Sequence, residues 1–162
     1  MKRIERERVD GLFSIWNKTS TLFEDTLQEY TDVIEDMKEI VLPFAWQLET
    51  PSPYIQNKKQ QLIRTEKILY LRLNRLSKEL SDTYDSLNMQ EKILRDEFES
   101  SKELLNAEEQ LEYIRLIKLL TSICIIAGNK LAEYMNIFAD ISFDKAENMH
   151  FVRENKEDGH KF

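Results

Sequence analysis

The stretch VLPFAWQLETPSPYIQNKK, residues 41–59, holds every proline of the 162-residue chain: Pro43, Pro51 and Pro53. Proline lacks a backbone donor and its ring clashes with the preceding helical turn, so a cluster of three marks a break between helices. Working outward from it decides the fold. On the N-terminal side, positions spaced by seven read Val9, Trp16, Phe23, Tyr30, Met37 and Phe44. A second set four residues on reads Phe13, Ser20, Leu27, Ile34, Val41 and Leu48. Only Ser20 breaks the apolar pattern, which is the heptad signature of a helix packed lengthwise on others. Its large aromatics fill more volume than a two-stranded zipper leaves, and so suit a bundle.

The spacing predicts a first helix over about 3–42, kinked or ended by Pro43. Ser52 and Pro53 read as N-cap and first helical residue of a second helix, about 53–105. Leu62, Leu69, Leu73, Leu76, Leu80, Leu87 and Leu94 share one of its faces. Polar residues around Tyr84 to Gln90 suggest a stutter there. Asn106 with Glu109 forms a capping box that starts a third helix, about 107–141, apolar on most sides in its centre. Gly128-Asn129 reads as a weak point in it, and Ser142 and Asp144 as caps of a short last turn. The polar tail 154–162 is expected to be disordered. With 3 Gly, 3 Pro and a third of the residues charged, the expected fold class is all-α. The architecture is one domain, 1–153, an elongated antiparallel bundle or coiled coil of about three long helices with its hairpin apex near 43–53.

Charge supports the hairpin. Residues 24–39 carry seven acids and one base, Lys38, a balance of −6; residues 58–78 carry seven bases and one acid, Glu66, a balance of +6. Folding at the prolines lays the blocks side by side, where charges of opposite sign set register between helices. The competing reading is a basic patch, Lys58, Lys59, Arg64, Lys67, Arg72 and Arg75, that binds an acidic partner or lipid headgroups. A net charge of −7 argues against general nucleic-acid binding and against simple adsorption to anionic lipid, so no nucleic-acid partner is expected and membrane contact is the less favoured reading.

The sequence carries no sign of chemistry. It has no Gly-rich phosphate loop, no Ser/His/Asp set and a single cysteine, Cys124, set among apolar neighbours in TSICIIAG. The two histidines occur as Glu147-Asn-Met-His150 and Glu157-Asp-Gly-His160. That spacing serves di-iron bundles only when further glutamates come from other helices. No enzyme, cofactor or metal is therefore expected. No secretory h-region opens the chain, and the most apolar run, Tyr113 to Ala127, includes Arg115 and Lys118 and is too short for a bilayer span. A cytoplasmic or nuclear location follows as the expectation.

Long heptad helices without chemistry describe a scaffold, an adaptor or a subunit of a larger assembly, bound to a protein partner or to itself. Candidate anchors are Phe13, Trp16, Phe44 and Trp46, with Leu116, Leu120 and Ile123 on the third helix; ordinary core packing is the alternative for each. A helical chaperone that masks one partner's apolar helix is a variant of this reading. In architecture alone, three long antiparallel helices resemble the crescent membrane-shaping modules of the BAR type, though no motif carries the likeness.

Overall fold

The structure, a computed structural model, describes the backbone of residues 2–41 and 53–160 and the side chains of 6–39 and 53–147. Helix α1 spans Lys2–Asp36 and widens into a π-helical turn, Met37–Val41, just ahead of Pro43. Helix α2 spans Pro53–Ser101, a 3-10 turn covers Lys102–Leu104, and helix α3 spans Ala107–His160. The chain is an all-α bundle of three long helices. The expected apex lies outside the described residues, Pro53 excepted, and Phe44 and Trp46 lie there too.

The hairpin has the predicted sense. The Tyr30 hydroxyl of α1 donates to Glu66 of α2 at 2.9 Å, so the middles of the acidic and basic blocks stand opposite each other. Helix α2 packs extensively on both neighbours, whereas α1 and α3 meet over a shorter length. α3 returns antiparallel to α2: Phe98 meets Tyr113 near the turn, with ring centroids 5.9 Å apart. At the far end the Tyr70 and Ser142 hydroxyls are 2.9 Å apart. The reversal between them is tight. Asn106 Oδ1 accepts the backbone N–H of Glu109 at 2.8 Å, as a capping box requires. Gln110 Nε2 donates to the carbonyls of Lys102 at 2.7 Å and Leu105 at 3.2 Å, satisfying acceptors that the end of α2 leaves without helical partners.

The heptad runs through all three helices. Val9, Trp16, Phe23 and Tyr30 are buried along α1. Leu62, Leu69 and Leu76 continue as Thr83 and Gln90 on one line of α2, beside Leu73, Leu80, Leu87 and Leu94 on the other. Tyr113, Leu120, Ala127 and Tyr134 form the buried line of α3. A strict seven-residue repeat keeps each seam turned to its neighbours.

Several expectations need correction. No stutter interrupts α2, which is helical from Pro53 to Ser101; Thr83 hands its hydroxyl to the Glu79 carbonyl at 2.8 Å, so a polar residue sits in the seam without breaking it. α2 ends at Ser101, and the 3-10 turn takes up the expected last residues. α3 does not stop at Ile141. It runs to His160, through Ser142 and Asp144 and into the segment expected to be a tail. No proline follows Pro53, and the stretch after Ile141 includes the good helix formers Lys145, Ala146, Glu147, Met149, Arg153 and Glu154. Gly128 does not weaken α3 visibly; it lies against the ring of Tyr84 in α2.

Candidate functional site

Exposed helical faces are the sites this fold offers, because most of the predicted anchors are used inside the bundle. Trp16, Leu116, Leu120 and Ile123 are buried core residues, and Phe13 is half-buried against the same core. Their apolar surface is spent on α1, α2 and α3 and does not await a partner. Phe44 and Trp46 lie outside the described residues.

The faces left uncovered are others. On α3, Leu111, Leu119, Ile125, Ile126 and Phe143 are exposed. At roughly 100° per residue Leu111, Ile125 and Phe143 stand nearly opposite the line of Tyr113, Leu120, Ala127 and Tyr134, and Leu119 and Ile126 on its flank about 100° away. Ile126, for instance, leaves 56 % of its surface in water. Beside them an open groove of about 660 Å³ runs between the end of α2 and α3, lined among others by Arg95, Phe98, Ile114, Ile117 and Lys118. The apolar excess of α3 is legible in its sequence, but the anchors expected there, Leu116, Leu120 and Ile123, are its buried members. The seven-residue line from Tyr113 to Tyr134 was the signal that separates the two sets.

The charge blocks also resolve differently from expectation. Among the described residues no ion pair joins the acidic stretch of α1 to the basic stretch of α2. Lys59, Arg64, Lys67, Arg72 and Arg75 are exposed and Lys58 is half-buried. Among the described residues only Arg75 of these has an ion-pair partner, Glu79, one turn along at 3.7 Å. The single acid of the block, Glu66, turns inward instead. Its side chain is 12 % exposed and takes Lys145 Nζ of α3 at 2.7 Å together with the Tyr30 hydroxyl. Lys145 also lies 4.7 Å from the centre of the Tyr70 ring. The acid that would dilute the basic face thus serves as the joint between all three helices. Exposed Ile68 and Leu71, 57 % and 55 % in water, are interleaved with these bases.

The acidic stretch divides in the same way. Glu24 turns to α3, where it accepts the Tyr134 hydroxyl and pairs with Lys130 at 3.4 Å. The Tyr134 bond, with Lys130 adding to it, holds the Glu24 carboxyl below its usual range. Asp25, Glu29, Asp32 and Asp36 stay exposed at steps of four, three and four, one stripe on the outer side of α1.

Burial, and then the Glu91 carboxylate beside it, push the Cys124 thiol up to about 12, far from the thiolate that nucleophilic chemistry needs. Among the described residues no group of three or more His, Cys, Asp or Glu is placed to hold a metal ion. No described helix is long and apolar enough to cross a membrane. No protein-family model matches the chain, and no curated protein or solved structure matches it either.

Proposed function

We propose that the chain is a non-enzymatic helical scaffold or adaptor, a subunit of a larger assembly that binds protein through the outer faces of its helices, in the cytoplasm or nucleus. One observation carries the reading. Leu119, Ile125 and Ile126 of α3, with Leu111 two turns before them, are exposed on its outer flank, and neighbouring exposed apolar residues of this kind mark interaction sites. A partner helix laid along them gains roughly 25 cal/mol for each Å² of apolar surface it covers. A photo-crosslinking residue at Leu119 or Ile126 of the full chain, in cells that make it, tests this. Strong crosslinking to one defined protein, lost with Ile125→Asp, is expected. Labelling no stronger than at the solvent-facing Lys92 sinks the reading.

A second reading has its own observation, the exposed bases of α2 interleaved with Ile68 and Leu71. That combination suits a dimeric, BAR-like module on an anionic membrane. Sedimentation with vesicles rich in phosphatidylserine decides it: binding that fades as salt rises supports a membrane role, and no binding at low salt removes it.

A further inference from the structure

The two charged stripes sit at the same level of the hairpin, and no ion pair among the described residues joins one to the other. Tyr30 opposite Glu66 sets that level. On α1 the stripe is Asp25, Glu29, Asp32 and Asp36, preceded by exposed Leu22. On α2 it is Arg64, Arg72 and Arg75, with exposed Ile68 and Leu71 between them. Apart from the Gln28 amide on Asp32 at 3.0 Å and the loose Arg75–Glu79 contact at 3.7 Å, these side chains have no described polar partner. Helical geometry turns Leu22 and Glu29 of α1, and Ile68 and Arg75 of α2, toward the same side of the hairpin, away from α3.

We infer that a second copy of this chain docks there, through a two-fold axis that runs parallel to the helices along the line between α1 and α2. This rests on the reading that the chain works by helix-face association, and it names the partner. A two-fold interface is self-complementary, so one surface must carry both halves of every contact. This one does: rotation about that axis lays the acidic stripe of each α1 on the basic stripe of the other α2. Leu22, Ile68 and Leu71 then lie along one half of the interface, within about 12 Å of the Tyr30–Glu66 level. An anionic membrane is the poorer occupant, because the acidic stripe lies alongside the bases and would be driven against the lipid with them. The overlap is about 20 Å long on two helix pairs and buries on the order of 1,000 Å², the low end for a specific complex. The dimer is therefore weak and salt-sensitive.

Sedimentation velocity on the full chain tests this at about 100 μM protein, in about 50 mM and then about 0.5 M salt. The expected mass at low salt is twice the 19.4 kDa of the chain, falling toward one copy at high salt. Two variants carry the test further: Asp25→Lys/Glu29→Lys/Asp32→Lys, and Arg64→Glu/Arg72→Glu/Arg75→Glu. Each alone repels itself, and its dissociation constant rises at least about tenfold. Mixed one to one they pair again, since every contact regains opposite charges. That recovery also excludes misfolding as the cause of the loss. A monomeric wild type at low salt overturns the inference, as does a mixture that stays monomeric. A dimer indifferent to both variants but lost with Ile126→Asp also overturns it, and leaves the scaffold reading standing on α3. A monomer that gives no crosslinks from Leu119 or Ile126 fails both.

Discussion

Tyr84 of α2 lies so close to Gly128 of α3 that a Cβ at position 128 would meet its hydroxyl oxygen at 2.9 Å and its ring carbons at 3.2 Å. Gly128 is therefore where α2 and α3 approach each other, next to fully buried Ala127. In an isolated helix, glycine to alanine gains about 1 kcal/mol. Here the added methyl must push the tyrosine aside, at roughly 1–3 kcal/mol. Gly128→Ala should lower stability by about 1 kcal/mol in urea unfolding, and should raise it by about 1 kcal/mol in a Tyr84→Ala background. A gain of that size in the wild type would mean that the close approach is absent.

Neighbouring residues of α1 should differ sharply. Phe23 is fully buried, its ring centroid 4.6 Å from that of Tyr134, whereas Leu22 is 54 % exposed. Phe23→Ala should cost about 3–5 kcal/mol. Leu22→Ala should stay within about 0.5 kcal/mol, as surface changes do. Equal losses would place the α1 seam elsewhere.

Alkaline pH should loosen the bundle. Burial first, then the bond to Glu24, push the Tyr134 hydroxyl from 10.0 up to about 12. Tyr30 shifts in the same direction through burial and Glu66. A raised folded-state value means that the fold holds the proton more tightly than the unfolded chain does. The stabilisation is whole below pH 10, the unfolded value, and is lost as pH rises through about 12. Urea midpoints measured across that window should fall. Tyr134→Phe should flatten the fall, and a wild-type midpoint level up to pH 12 would refute the assignment.

Cys124 should be silent in the folded chain. Its side chain is buried and its thiol is pushed up to about 12. Labelling by a thiol reagent at neutral pH should run at least about a hundredfold slower than in denaturant, at a rate set by opening of the bundle. Rapid labelling in native buffer would show that α3 is not seated on α2 around Glu91.

Much of the fold was legible because its signals are local. The line from Val9 to Tyr30 announces a seam by spacing alone, and Asn106 with Glu109 marks a helix start because the bond between them spans one turn. The candidate anchors were less legible. Trp16 and Leu120 carry the same apolar signal whether they fill a core or wait for a partner, and only neighbouring helices distinguish the two cases. Leu119, Ile125 and Ile126 went unnamed for the same reason: α3 is apolar around most of its circumference, so composition does not say which side is covered.

By itself, then, the sequence determined three long helices, the heptad seam of the first, the hairpin sense of the first two and the turn into the third. Periodicity, prolines and caps act within a few residues and survive in any context. The tertiary structure decided how each helix is rotated about its axis. That rotation sends Glu66 inward to Lys145 and Tyr30 while Arg64, Arg72 and Arg75 stay in water. It also commits Trp16 to the core and leaves Ile126 outside. The reason is physical. A repeat of seven specifies which residues share a face, whereas which face is buried follows from the summed packing of all three helices.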